Sequence, residues 1–129
     1  MKPAMAHRWV VSIAVLWCIA GDARADVRFF VYDLTTSTKF TEVYLAPSGS
    51  GQWGANQALN DKDRVLDPGE RLGLSAGVRG VYDVKFIDPD GRVCIKSGVD
   101  LTREISFDIR DTDLASCLAG NEGKGDRRP

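Results

Sequence analysis

Val81-Tyr-Asp-Val-Lys-Phe-Ile-Asp-Pro-Asp-Gly-Arg-Val-Cys-Ile-Lys96 decides the fold. Tyr82, Val84 and Phe86 alternate with Asp83 and Lys85, the period of a strand with one buried face, while Val81 and Ile87 blur the outer face. Asp88-Pro-Asp-Gly91 has turn chemistry: Pro presets φ, Asp bonds nearby backbone, and Gly accepts φ > 0. Beyond it, Val93 and Ile95 fall on one face and Arg92, Cys94 and Lys96 on the other. Strand, tight turn and returning strand make a hairpin, so this domain is built from sheet.

The same signals extend in both directions. Val27-Arg-Phe-Phe-Val-Tyr32 is rich in β-branched and aromatic residues and predicts a first strand. Thr35-Thr-Ser-Thr38 is a polar turn, and Phe40-Thr-Glu-Val-Tyr-Leu45 a second strand, with Val43 and Leu45 on one face and Glu42 and Tyr44 on the other. The short gap predicts that these two strands pair as an antiparallel hairpin. Residues 46–64 form a long connection. Val65-Leu66 begins a short strand, Asp67-Pro-Gly-Glu70 fits a type II turn, and Arg71-Leu-Gly-Leu74 is a short edge strand. Residues 104–110 predict the last strand, with Ile105, Phe107 and Ile109 inward. Residues 112–118 form one helical turn carrying Cys117. The expected fold class is all-β, a small antiparallel β-sandwich of six or seven strands.

The chain has 129 residues, room for one domain. Residues 1–25 have the layout of a secretory signal peptide: a basic end (Lys2, His7, Arg8), an apolar run from Trp9 to Ala20, and the small-x-small site Ala23-Arg-Ala25. The apolar run is shorter than the ~20 residues of a membrane-spanning helix. The expected organisation is therefore a signal peptide (1–25), a β-sandwich domain (26–118) and a charged, glycine-bearing disordered tail (119–129). Periplasmic or secreted localisation follows, with no stable membrane span after processing. The net charge of −1 offers no basic field for nucleic acid.

Processing removes His7, the sole histidine, and Cys18. The remaining pair, Cys94 and Cys117, reads as one disulfide in an exported chain. It would close a loop of about 24 residues and stabilise the fold by roughly 3 kcal/mol. Without histidine, Ser-His-Asp and Cys-His catalysis lack their base, and zinc and copper lack their favoured nitrogen ligand. No cofactor is implied, no catalytic residue is assigned and no metal ligand is assigned.

Carboxylates remain. Asp61, Asp63 or Glu70 are the acids available to a carboxylate-dependent glycan hydrolase. Asn60, Asp61 and Asp63, or Asp88 and Asp90, are the hard oxygen ligands available to a calcium-stabilised structural envelope component. The ordinary reading of all of them is turn formation. Long loops in small domains are usually functional or specially packed. The loop Ser48-Gly-Ser-Gly-Gln-Trp53 holds the only tryptophan that survives processing, either a stacking platform or a lid on the sandwich. The expected ligand-binding residues are Ser48, Ser50, Gln52, Trp53, Asn56 and Glu70, on a surface combining residues 48–56 with the turn at 67–70.

Four motifs stand in order: Tyr44-Leu-Ala-Pro-Ser-Gly-Ser with Trp53-Gly54, Leu66-x-Pro-Gly-Glu70, Tyr82-Asp-Val-Lys85 and Asp88-x-Asp-Gly91. Together they resemble a family of small, exported, uncharacterised bacterial proteins, with Ala46 where that pattern tends to have Ser. The resemblance covers nearly the whole domain after residue 25. It implies export and a small β domain, and it brings no activity. The expected function is a non-enzymatic binding or accessory module whose partner is an unknown envelope protein or a glycan.

Overall fold

A computed structural model describes residues 26–117. The signal peptide and tail expected at either end lie outside the described residues. Six strands form two three-stranded sheets: β1 (Val27–Asp33), β2 (Glu42–Pro47), β3 (Arg71–Ala76), β4 (Val81–Ile87), β5 (Val93–Asp100) and β6 (Ser106–Ile109). The order is β3-β1-β6 in one sheet and β2-β4-β5 in the other. Two short 3₁₀ helices, Gln57–Asn60 and Asp111–Ser116, complete the described elements.

The sandwich core draws on both sheets. Phe29, Val31, Leu72, Leu74 and Ile109 face Val43, Leu45, Val84 and Phe86, and all are buried. Phe29 meets Tyr82 across the gap at 6.3 Å between ring centroids, and Phe40 meets Phe86 at 5.0 Å. Such tilted aromatic pairs add about 0.5–1.5 kcal/mol beyond area burial. Alternation along β4 places Tyr82, Val84 and Phe86 inward as expected.

Two expectations need correction, the β1–β2 hairpin and the inward Ile105, and the buried face of β5, left open by the sequence, is decided. β1 and β2 do not form a hairpin: β1 pairs antiparallel with β3 and parallel with β6, whereas β2 pairs with β4. The connection between them carries the chain from one sheet to the other, with Phe40 bridging to Leu66. On β5 the buried face is the one carrying Cys94 (2 % exposed), and Ile95 is 45 % exposed. Cys94 lies directly opposite Phe86, and opposed residues in a ladder share a face. Ile105 is 49 % exposed and stands just outside β6.

Both turns form as read. Glu70 N–H donates to the Asp67 carbonyl at 3.0 Å with Gly69 at φ 86°. The Asp88 carboxylate accepts from the N–H groups of Asp90 and Arg92. Asp33, fully buried at the end of β1, ties the first of these turns to the sheet: its N–H donates to the Glu70 carbonyl and its carbonyl accepts from Gly69 N–H. Its Oδ1 accepts from Thr35 N–H and hydroxyl, while Oδ2 has no partner. Burial pushes the Asp33 carboxyl above the usual carboxylate range, against the opposing pull of the Thr35 bonds.

The open sides of the sandwich are both closed by side chains. On one side the chain after Trp53 doubles back along the free edge of β2, with Gly54 N–H donating to the Leu45 carbonyl. Asn56 Oδ1 accepts from Val43 N–H, and its Nδ2 donates to the Thr41 carbonyl. The first 3₁₀ helix then crosses to β3. There the Gln57 amide pairs with both N–H and C=O of Ser75, and Asn60 Nδ2 donates to the Gly73 carbonyl. Two exposed strand edges, which otherwise invite pairing with other chains, are thereby covered. On the far side Lys96 reaches from β5 to the Asp108 carbonyl at 2.6 Å and the Asp113 carboxylate at 3.2 Å. A disulfide joins Cys94 to Cys117 beside it.

Candidate functional site

Asp83 anchors the loop that follows β2. It points outward from β4 between the buried Tyr82 and Val84. One carboxylate oxygen accepts from Gly49 N–H at 2.9 Å; the other accepts from Gly98 N–H at 3.0 Å and the Ser48 hydroxyl at 3.2 Å. These donors hold the Asp83 carboxyl below the usual range, the Gly49 and Gly98 amides most of all. Gly98 adopts φ 67° where the β4–β5 ladder slips register, and Gly49 adopts φ 78° in the turn after β2. A side chain would be strained at either place, so glycine lets both backbones approach one carboxylate.

From this anchor the loop returns over the outer face of the β2-β4-β5 sheet. The Trp53 ring lies over the Lys85 ammonium at 4.6 Å, and the Tyr44 ring lies 5.0 Å from the same ammonium. Tyr44 and Lys85 are directly opposed on β2 and β4, with Ile95 next in line on β5. The Tyr44 hydroxyl donates to Glu42, and that bond, with burial and the Glu42 charge, holds the phenol above its ordinary range. Among the described residues, no carboxylate lies within salt-bridge distance of Lys85. The result is a fixed amphipathic platform of two rings, a cation between them and an exposed aliphatic neighbour. Such a surface stacks on apolar ring faces and meets polar or anionic groups at its centre.

The expected site residues divide by role. Ser48 and Ser50 shape the loop: Ser48 bonds Asp83, and the Ser50 hydroxyl accepts from Gln52 N–H. Gln52 is exposed and rims a groove of about 380 Å³ with Leu45, Pro47, Ala76, Val78 and Tyr82. Trp53 is on the platform. Asn56 is occupied on three sides by backbone, since its Oδ1 also caps the first 3₁₀ helix at Ala58 N–H. Glu70 does not join them. Ser48 bonds to Val81 at the start of β4, and a short link leads there from the end of β3. Glu70 precedes the start of β3, so the six residues of that strand, about 20 Å, separate the loop from the turn. Tyr44, Lys85 and Asp83 are site residues that the sequence reading did not select. The outward alternation of β2 and β4 marks them, but only the register brings Tyr44 to Lys85.

At the other end, Asp61, Asp63 and Glu70 converge, with carboxylate oxygens within 4.8 Å of one another. Asp61 is held protonated to higher pH by its hydrogen bond to Asp63, and Asp63 is correspondingly lowered. Glu70 also accepts from Asp67 N–H, and Asp63 from Val65 N–H. Asn60 donates its amide to Gln57 and Gly73. Among the described residues, no helix is long and apolar enough to cross a membrane. No protein-family model, curated protein or solved structure matches the chain.

Proposed function

We propose that this is an exported, non-enzymatic binding module of the cell envelope that takes a glycan on the Tyr44–Lys85–Trp53 platform. One observation carries the reading: two aromatic rings are fixed about a cation that has no carboxylate partner among the described residues. A sugar ring presents an apolar face for stacking and hydroxyls for a central donor, and preordered rings cut the entropy cost of binding. The loop holding Trp53 is pinned through Asp83 rather than left loose, as a preorganised site requires. The leader-like residues 1–25 and the paired cysteines support export.

The test is calorimetric titration of the processed protein with envelope glycan fragments, with Trp53 fluorescence as a second readout wherever the tryptophan is kept. Trp53→Ala and Lys85→Met are expected to weaken binding at least tenfold with unchanged folding. If both variants bind glycan fragments like the parent, the platform is not the site. If the parent binds only an envelope protein, and Trp53→Ala abolishes that, the partner is protein instead.

The convergence of Asp61, Asp63 and Glu70 favours a second reading, a calcium-stabilised structural component. A calcium-dependent rise in melting temperature that Asp63→Asn removes would support it; an unchanged melt in millimolar calcium would dismiss it.

A further inference from the structure

The outer face of the other sheet carries a different constellation. Along β1, Arg28, Phe30 and Tyr32 point outward; opposite them on β3 stand Ser75, Gly73 and Arg71. Gly73 therefore leaves a gap midway along the edge strand β3, beside Phe30. The gap is the floor of a groove of about 420 Å³ lined by Arg28, Phe30, Asn60, Arg71, Gly73 and Ser75.

Nothing in the fold demands glycine at position 73. Its φ lies outside the left-handed range, and an added Cβ would touch only the Phe30 ring, at an ordinary 3.9 Å. Glycine inside a strand weakens it, and commonly marks close approach by a ligand or another backbone. The two arginines point the same way. Among the described residues, neither has a carboxylate within salt-bridge distance, although the chain as a whole is acidic. Arg71 is also preoriented, with its guanidinium 4.5 Å from the Phe30 ring centroid. A guanidinium stacked on a ring keeps its in-plane N–H fork free for a carboxylate or phosphate.

We propose that this groove binds an acidic saccharide through carboxylate or phosphate groups on Arg28 and Arg71, its sugar body lying over Gly73. Charge and the flat Phe30–Gly73 surface together favour this ligand class. The two arginines are rooted four residues apart along the sheet, about 13 Å. Acidic groups spaced along a saccharide chain can reach both arginines at once, and the net charge of −1 offers no wider basic field for a nucleic-acid strand. Phe30 and the bare backbone at Gly73 supply the flat surface on which a sugar ring rests. This site lies on the face opposite the Trp53 platform and does not depend on it.

The processed protein is titrated calorimetrically at low salt with a uronic acid oligosaccharide and with its carboxyl-reduced neutral counterpart. Inorganic phosphate and vesicles containing an anionic phospholipid are run alongside. The uronate is expected to bind at least tenfold tighter than the neutral sugar and to weaken with salt. Arg28→Gln and Arg71→Gln should each cost at least fivefold, and the double variant should bind the uronate no better than the neutral sugar. Gly73→Val should block the groove while the far-UV spectrum and melting temperature hold or improve; if it misfolds, Gly73→Ala, whose Cβ meets only Phe30, replaces it. Arg103→Gln, at an exposed arginine outside the groove, should leave uronate affinity unchanged, which separates the groove from general charge attraction. Equal binding of neutral and acidic sugar, full binding by the double arginine variant, binding to vesicles alone, or no uronate binding would each overturn the proposal.

Discussion

Replacing Asn56 by Ala is the sharpest test of how the long loop is held. Asn56 Oδ1 accepts from Val43 N–H and Ala58 N–H, each at 3.0 Å, and Nδ2 donates to the Thr41 carbonyl at 3.3 Å. Truncation removes a helix cap, worth about 1 kcal/mol. It also strands two part-buried backbone groups of the β2 edge, at about 1 kcal/mol each near the low end of the range for unsatisfied groups. The expected loss is about 3 kcal/mol, or a fall in melting temperature of about 12–24 °C for a domain of this size. Asn56→Asp keeps both acceptor contacts and loses only the donor, so it should cost about 1 kcal/mol. Urea titrations followed by Trp53 fluorescence, with thermal melts by circular dichroism, measure both. An Asn56→Ala variant within about 1 kcal/mol of the parent would refute the argument, as would an Asp variant as damaged as the Ala one. A binding defect in Asn56→Ala without lost stability would return Asn56 to the ligand contacts.

Reducing the Cys94–Cys117 bridge should lower stability by about 3 kcal/mol and the melting temperature by about 12–24 °C; a shift below about 5 °C with thiols shown to be free would contradict this. Burial raises the Asp33 pKa in the fold, so its contribution is fully present below the unfolded value of about 3.9 and is lost as pH rises through the raised folded value. Asp33→Asn keeps the acceptor for Thr35 and cannot ionise, so its stability relative to the parent should be greater at pH 7 than at pH 4. A difference independent of pH, measured by urea unfolding across that range, would sink the assignment. Asp83 has the opposite sign: its folded pKa is lowered, so its contribution is present above about pH 4 and is lost as pH falls through the folded value. Protection factors of the Gly49 and Gly98 amides, referenced to the unfolded-chain exchange rate at each pH, should fall in acid, and Asp83→Asn should lower them at neutral pH as well; protection unchanged in both would contradict this.

The hairpin of β4 and β5, the Pro-Gly turn and the inward face of β4 were all legible, because periodicity and turn chemistry are local. The partner of a strand is not local. The gap after Asp33 is short enough for a hairpin, yet a similar length crosses between sheets when Phe40 is drawn into the core against Phe86. Cys94 and Ile95 could not be ordered by hydrophobicity, since β5 bears apolar residues on both faces; only its register against Phe86 decides. Polar Asn56, Gln57 and Asn60 read as loop, and two of them act as surrogate strand for β3. Asn56, immediately before Gln57-Ala-Leu, is a cap signal, but a four-residue 3₁₀ helix offers no periodic run for it to head. The platform was half visible: Trp53 stood out as a lone tryptophan, whereas Lys85 belongs to it solely through strand register.

The parallel pairing of β1 with β6 joins the first described strand to the last. β1 sits in the middle of its sheet, so one flank stays bare until residues 106–109 have been delivered. A nascent chain halted anywhere earlier holds an unfinished layer, with Phe30 N–H still lacking its bond to the Ile105 carbonyl. Late closure of this kind delays native assembly relative to local hairpins.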